Sequence, residues 1–259
     1  MRSPHLPRSL RVTASALAFA TLLIPVSGQM QSVPAPPTKS QVHVVIIGGG
    51  SSHDFEKHYK ETDATTLIKS GVSVQYIDSF KDLPARLAGA NTVIQASNQA
   101  APDAGTRRAL MDFVAKGGGL IAVHAGTWYN WADWPEYNRL LIGGGTRDHD
   151  KPAPFEVTVT APNHPVMSGV PAHFKIEDEL YHQEMAPDGP QTEVLATAYS
   201  PITGKTYPSV WIVKDQKGRI VCIALGHDER AHGTPAYQTI LKNAVEWTAN
   251  RSDVPHKRP

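Results

Sequence analysis

The amino-acid sequence predicts an α/β fold with an open, mostly parallel central sheet and antiparallel strand extensions. Between residues 42 and 125, predicted strands and helices alternate four times, which is typical of parallel strands joined by right-handed crossovers. After residue 150, apolar and polar residues alternate in segments separated by turn residues, a pattern typical of antiparallel strands. The 259 residues are 41% hydrophobic and 19% charged, which is the composition of a globular domain.

The first half of the domain supplies four predicted parallel strands with helices between them. Val42–Gly50 is a continuous apolar run that ends in glycines, typical of a buried central strand entering a tight loop. A helix is predicted over residues 55–70, and a second begins at the capping residue Asp103 and runs through Lys116. The remaining strands are predicted at Ser73–Asp78, Asn91–Ser97 and Leu120–Ala125.

The second half adds the antiparallel extensions and closes the parallel sheet. Arg219–Gly226 is again fully apolar and predicts another buried strand. Residues 235–249 carry apolar side chains at helical spacing and predict a final amphipathic helix. The antiparallel strands are predicted at Phe155–Thr160, Phe174–Tyr181, Glu193–Ser200 and Tyr207–Asp215.

Residues 1–28 have the pattern of a secretory signal peptide. Arg2, Arg8 and Arg11 precede an uncharged apolar run, and Val26–Gly28 offers small residues at the spacing of a cleavage site. The apolar run has about fifteen residues, fewer than the roughly twenty that span a bilayer. We therefore expect export, with the periplasm as the destination and cleavage near Gly28.

The domain boundaries and the charge follow from this reading. Residues 29–41 contain prolines and serines typical of a linker, residues 42–250 form the domain, and residues 251–259 are a polar tail. The net charge of +1 excludes a basic surface for nucleic acid or acidic lipid. The single cysteine, Cys222, excludes an intrachain disulfide, and its apolar neighbours predict a buried, inert thiol.

Three predicted parallel strands finish near a histidine. His53 follows the first strand, His124 ends the fourth, and His227 follows the last. Ligands of open α/β sheets bind at the carboxyl ends of the strands, so we expect these histidines to converge on one site. His124 is followed by Ala125 and Gly126, which permit a sharp turn like a nucleophile elbow. The alternative for His124 is a core histidine bonded to a backbone carbonyl. For His53 the alternatives are a solvated loop residue or a helix-capping pair with Asp54.

Further candidates lie in the second half and in an aromatic segment. Glu179, within a run rich in acids, is a candidate general base or metal ligand, with a solvated surface carboxylate as the alternative. His149 is a candidate substrate-binding residue or a mobile surface residue. Aromatic rings beside a polar site either stack on sugar rings or pack as core. These rings are Trp128, Tyr129, Trp131, Trp134, Tyr137 and Tyr181.

Several common catalytic motifs are absent from the sequence. The glycine triplets are not followed by Gly-Lys-Ser/Thr, so they are not a phosphate-binding P-loop, and GGGSSH lacks the last glycine of a dinucleotide-binding fingerprint. The sequence contains no H-E-x-x-H, C-x-x-C or G-x-S-x-G.

From about Val42 to Ala249 the chain resembles the ThuA-like (trehalose-utilisation) family. The resemblance rests on VIIGGGSSHDF, GGGLIAVHAGTWYNW, WPEYNRLLIGGG, NHPVMSGVP, DELYH and ALGHDERAH. It implies a flavodoxin-like three-layer sandwich of the class I glutamine amidotransferase-like type. Amidotransferases of that fold carry a cysteine at the elbow and a late His-x-Glu pair. Here the corresponding positions look like His124 and the pair His227 and Glu229, so we expect no glutamine amidotransferase activity.

The resemblance implies a small carbohydrate partner: a disaccharide, a glycoside or a 3-keto sugar that is isomerised or cleaved. Two mechanisms fit the residues. In one, His53, His124 and His227 hold a divalent metal, zinc or manganese. In the other, histidines and Glu179 perform metal-free acid–base chemistry. We assign catalysis to His124, Glu179, His227 and Glu229. Substrate binding is assigned to Trp128, Tyr129, Trp131, His149 and Tyr181. A non-catalytic periplasmic sugar-binding module is the alternative, and a homo-oligomer stays open.

Overall fold

A computed structural model describes residues 41–128, 133–214 and 216–249. The predicted signal peptide, residues 29–40 of the linker and the polar tail lie outside the described residues, as do Tyr129 and Trp131. Within the part of the chain that is described, no helix combines the length and apolar character needed to cross a membrane.

Five parallel strands form the first part of a nine-stranded sheet. The strand β1 (His43–Ile47) lies between β2 (Ser73–Ile77) and β3 (Thr92–Gln95). Beyond β3 follow β4 (Gly119–Val123) and the late strand β11 (Ile220–Ile223), and within this group of five every strand pair is parallel. The inner strands β1, β4 and β11 are buried on both faces, and their sequences are continuous apolar runs, as predicted, whereas the edge strand β2 is only partly buried.

Helices cover both faces of this sheet. The first helical segment is a π-helix, Glu56–Asp63, that continues as α1 (Ala64–Lys69). Asp103 caps α3 (Ala104–Ala115) by accepting a hydrogen bond from the Thr106 amide at 2.9 Å. The other helices are α2 (Leu83–Arg86), a π-helix at Tyr137–Ile142, α4 (Glu229–His232) and α5 (Pro235–Ala249), together with short 3₁₀ helices at Phe80–Asp82, His124–Thr127 and Pro165–Met167.

The apolar residues form two core clusters, one on each face of the sheet. Val44 and Ile46 of β1 belong to one cluster with residues of α1 and α5. Val45 and Ile47 belong to the other cluster with residues of α2 and α3. Successive strand residues point to opposite faces, so this division confirms the three-layer, flavodoxin-like sandwich.

Four antiparallel strands extend the sheet beyond β11. The order is β10 (Lys205–Val213), β9 (Thr192–Ser200), β6 (His149–Val159) and β7 (His173–Tyr181). A second, two-stranded sheet pairs β5 (Gly144–Gly145) with β8 (Glu184–Met185).

The strand β6 begins six residues earlier than the predicted start at Phe155. Only Val157–Val159 pairs with β9, whereas the residues before it pair with β7 alone. That first part of β6 covers no apolar face, so the charges and prolines of its sequence do not alternate with apolar residues. The β6–β7 hairpin therefore extends past the sheet, with His149 opposite Tyr181 at its end.

Candidate metal centre

His124 lies at a sharp turn where β4 ends. Its φ of 44° is the only positive φ among the described residues that are not glycine. Such a backbone is costly for a residue with a Cβ and indicates strain held by the surroundings. A Cβ at the next glycine, Gly126, would lie 2.1 Å from the Gln95 carbonyl oxygen. The Tyr137 hydroxyl also donates to the Gly126 carbonyl at 2.6 Å, so packing on both sides fixes the turn.

The hydrogen bonds of His124 determine which ring nitrogen faces the site. Nδ1 lies 2.9 Å from the Ala224 carbonyl oxygen, which can only accept, so Nδ1 carries the hydrogen. Nε2 of a neutral ring is then free to accept a hydrogen bond or to bind a cation. It lies 3.0 Å from the Tyr181 hydroxyl and 3.4 Å from Glu179 Oε2.

Four ligand atoms meet at this point, drawn from four segments far apart in the chain. The atoms offered by His53, His124, Glu179 and His227 all lie within 4.8 Å of one another. His53 Nε2 is 3.2 Å from His227 Nδ1, and His227 Nδ1 is 3.3 Å from Glu179 Oε2. The structure thus brings the three predicted histidines and Glu179 to the carboxyl edge of the parallel strands.

The electrostatics of the cluster favour an ionised Glu179 and a neutral His53. Burial, followed by the charges of His124 and His227, lowers the pKa of His53 to about 3. Burial alone would raise the pKa of Glu179, but hydrogen bonds and charges from His124 and His227 outweigh it and hold that pKa below its usual range. The hydrogen bond from Glu179 raises the pKa of His227.

The donor set fits a divalent transition metal. Bonds of about 2.0–2.1 Å in a tetrahedral zinc site place neighbouring ligand atoms about 3.3–3.4 Å apart. The three short separations here are 3.2, 3.3 and 3.4 Å, so those pairs need little movement. Imidazole nitrogens with a carboxylate oxygen suit zinc, and carboxylate also suits manganese. The Ala224 carbonyl on His124 Nδ1 is the kind of outer partner that orients metal-binding histidines.

A buried carboxylate that the sequence analysis did not single out, Asp178, ties two of these segments together. Its Oδ1 accepts from the amides of Glu179 at 2.8 Å and His227 at 3.0 Å. Its Oδ2 accepts from the Gly226 amide at 2.8 Å. The sequence did carry a sign of this role, because Asp178 alternates with Ile176 and Leu180 on the buried face of β7.

Three of the predicted substrate-binding residues, Trp128, His149 and the buried Tyr181, form a wall beside Glu179. His149 Nδ1 lies 3.5 Å from Glu179 Oε1. The Trp128 ring is 5.1 Å from the Tyr181 ring and 5.7 Å from the His149 ring. Trp134 and Tyr137 are buried in the core instead, so these two rings take the second of the two predicted roles, packing as core rather than stacking on a sugar.

Glu229 is not brought to the cluster. Its side chain is 62% exposed, and its carboxylate lies 3.4 Å from Lys57 Nζ. Asp228 caps α4 by accepting from the Arg230 amide, which places Glu229 in the first turn of that helix and toward solvent. Glu179 is the carboxylate that lies beside His227.

The sequence matches a family model described as trehalose utilisation over residues 43–248. The chain belongs to the ThuA family. Membership associates this ThuA protein with carbohydrate utilisation. Among curated proteins, none matches the chain.

Solved structures confirm the fold. A ThuA-like protein from Parabacteroides merdae is 21% identical with a TM-score of 0.70, and the match covers 85% of this chain and 93% of that one. A ThuA-like protein from Bacteroides uniformis is 22% identical with a TM-score of 0.70, covering 84% and 95%. The β-galactosidase Gan42B matches at 13% identity and a TM-score of 0.51, over 72% of this chain and 27% of that one.

Proposed function

We propose that this ThuA protein binds a divalent metal, zinc or manganese, and acts on a carbohydrate at the metal site. The observation that carries the proposal is the cluster of His53, His124, Glu179 and His227, whose ligand atoms lie within 4.8 Å of one another. The family's association with trehalose utilisation supports the substrate class. A disaccharide, a glycoside or a 3-keto sugar would be isomerised or cleaved there.

The side chains around the cluster supply what such chemistry needs. A bound divalent ion polarises a carbonyl or lowers the pKa of water. Glu179 is held ionised and can accept a proton at Oε1, which faces His149. Without a metal, His227 has a raised pKa and can hold a proton at Nδ1 beside Glu179 Oε2; with a metal bound, the same nitrogen would be its ligand. The half-buried ring of Trp128 offers an apolar face for the C–H groups of a sugar, whereas the Tyr181 ring is buried and its hydroxyl contacts His124.

A cleft lies along the chain segments that carry His149 and Tyr181, although none of the four cluster residues lines it. The cleft, of about 890 Å³, is lined by Asp148 and His182, the chain neighbours of His149 and Tyr181. The Tyr207 ring stacks on His182 at 4.8 Å and lines the same cleft. Binding clefts for small ligands span about 300–1,000 Å³, so a disaccharide fits this size.

We propose no amide transfer from glutamine at this site. The elbow carries His124 where that chemistry needs a nucleophile. Cys222 is fully buried within β11, and burial raises the pKa of its thiol well above the usual value. A protonated thiol inside a strand is no nucleophile.

A specific observation favours a second, metal-free function. The cluster is already internally hydrogen-bonded, because His53 contacts His227 at 3.2 Å and Tyr181 contacts His124 at 3.0 Å. The same wall of Trp128, His149 and Tyr181 would then serve acid–base chemistry or simple sugar binding. In either form we propose that the protein is exported to the periplasm, on the pattern of residues 1–28.

Metal content tests the proposal. Protein purified from its native compartment is analysed by mass spectrometry beside His124→Ala, Glu179→Gln and Glu229→Gln. We expect close to one zinc or manganese per chain in the wild type and in the exposed control Glu229→Gln, and loss of the metal in the other two variants. No metal in the wild type, even after both ions are added back, would overturn the metal site.

Turnover separates an enzyme from a binding module. The metal-loaded protein is incubated with trehalose and with its 3-keto derivative, and the products are followed by NMR. Conversion that is lost in Glu179→Gln supports catalysis. Saturable binding without conversion of either sugar supports the sugar-binding module.

A further inference from the structure

The peptide bond that precedes a proposed ligand, His227, is held from both sides by buried side chains. The His227 amide, which belongs to this peptide bond, donates to Asp178 Oδ1 at 3.0 Å, and the Gly226 amide of the preceding peptide bond donates to Asp178 Oδ2 at 2.8 Å. The Gly226 carbonyl oxygen accepts two hydrogen bonds, one from the Tyr59 hydroxyl at 3.0 Å and one from His232 Nε2 at 3.0 Å. Gly226 has a φ of 121°, which a residue with a Cβ rarely adopts. One peptide unit is therefore fixed by groups from β7, the first π-helix and α4.

His232 is itself part of a buried charged network. Its Nδ1 lies 2.8 Å from Asp63 Oδ1, and the Tyr237 hydroxyl donates to Asp63 Oδ2 at 2.9 Å. Both ring nitrogens of His232 therefore face oxygens that can only accept, a carboxylate and a carbonyl, which fits a doubly protonated ring. Although burial lowers the pKa of His232, the charge of Asp63 and the hydrogen bonds to Asp63 and the Gly226 carbonyl together outweigh it and raise that pKa.

This network restricts the backbone orientations that the loop before His227 can adopt. A buried ion pair that loses one partner leaves an uncompensated charge, which is strongly unfavourable. Rotation of the Gly226–His227 peptide would break the bonds from His232 and Tyr59 to the carbonyl, and it would move the His227 amide away from Asp178. The loop thus has one orientation in which every buried polar group of this set is satisfied.

We propose that His232 is a positioning residue that fixes the Gly226 carbonyl and thereby the His227 ring in the metal site. His232 does not join the four-residue cluster, and its ring folds back onto the peptide bond before His227, five residues earlier in the chain. The role in metal binding rests on the proposed function. The role in fixing the loop does not.

Three variants test this role. His232→Gln removes the charged pair with Asp63. Tyr59→Phe removes only one hydroxyl from the Gly226 carbonyl and keeps the rest of the ring. His164→Gln is the matched control, because His164 accepts from the Val166 amide at 3.2 Å and has no bond to this loop.

Two readouts are measured: zinc affinity by competition with a chelator, and amide hydrogen exchange of residues 224–229 in the metal-free protein. We expect His232→Gln to weaken zinc binding about tenfold or more, in the range known for outer partners of metal ligands. Tyr59→Phe is expected to weaken it less, and His164→Gln to leave it unchanged. Exchange at residues 224–229 should rise at least about tenfold in His232→Gln while β4 keeps its protection.

The outcomes are separable. If the wild type binds no zinc, the proposed metal function fails, and selective exchange at residues 224–229 still supports the positioning role. Unchanged exchange there in His232→Gln overturns the role, whatever the zinc affinity. Exchange that rises equally in β4, or a loss of affinity as large in His164→Gln, also overturns it by showing general destabilisation.

Discussion

Replacing Asp178 by asparagine removes one acceptor from a buried carboxylate that binds three backbone amides. If the remaining oxygen keeps the amides of Glu179 and His227, the new NH₂ group faces the Gly226 amide, which then has no acceptor. A buried donor left unsatisfied costs about 1–3 kcal/mol. In a domain of about 200 residues each kcal/mol lowers Tm by about 2–4 °C, so we expect a loss of about 2–12 °C.

The assay is thermal unfolding followed by circular dichroism, with Glu177→Gln as the matched control. Glu177 is the adjacent carboxylate in β7, is 41% exposed and pairs with Arg230. An exposed ion pair contributes about 0–1 kcal/mol, so the control should lose at most a few degrees.

Zinc affinity of the same proteins gives the functional consequence. Asp178 contacts the amides of two proposed ligands, so Asp178→Asn should weaken zinc binding by about 10–100-fold. An Asp178→Asn protein with the Tm and zinc affinity of Glu177→Gln would refute the reasoning, because the three amide bonds would then contribute nothing measurable.

Three further predictions concern single groups. The raised pKa of His232 means that the folded state keeps a proton which the unfolded chain releases above about pH 6.5, so stability should fall as pH rises from there through the folded pKa. In urea unfolding, the free energy of unfolding should fall less with rising pH in His232→Gln than in the wild type, and an identical fall would contradict this. Gly126→Ala should lower Tm and shift the elbow in a crystal structure, because its Cβ would lie 2.1 Å from the Gln95 oxygen; an unchanged Tm would contradict the close packing. The Cys222 thiol should react with Ellman's reagent only after unfolding, because it is fully buried and its pKa is raised, and rapid reaction of the native protein would contradict this.

Much of the fold could be predicted from local patterns. The continuous apolar runs of β1 and β4 and the cap at Asp103 depend on neighbours in the chain, and the structure contains each of them. The start of β6 could not be predicted in this way. Its first residues pair with β7 only and cover no apolar face, so no alternation marks them.

The candidate site, like the fold, could be predicted only in part from the sequence. That His53, His124 and His227 would converge followed from their positions after parallel strands, because the carboxyl ends of such strands share one edge. These sequence positions did not decide which carboxylate would join the three histidines. Glu229 is close to His227 in the chain, but the cap at Asp228 turns it toward solvent. Glu179 comes from β7, four places from β11 in the sheet, and reaches the cluster because the β6–β7 hairpin extends past β9.

Local sequence patterns are sufficient for the class of fold, the central parallel strands and the three histidines that follow them, because periodicity and the order of elements along the chain are properties of the sequence. The contacts that bring Glu179 to the cluster, and those by which Asp178 and His232 hold the Gly226 peptide, come from the tertiary structure. Asp178 and His232 lie 48 and 6 positions from Gly226 in the chain, and packing sets how closely their strands and loops approach each other. A buried carboxylate or imidazolium is stable only where such packing supplies its partners, and no local pattern records which partners those are.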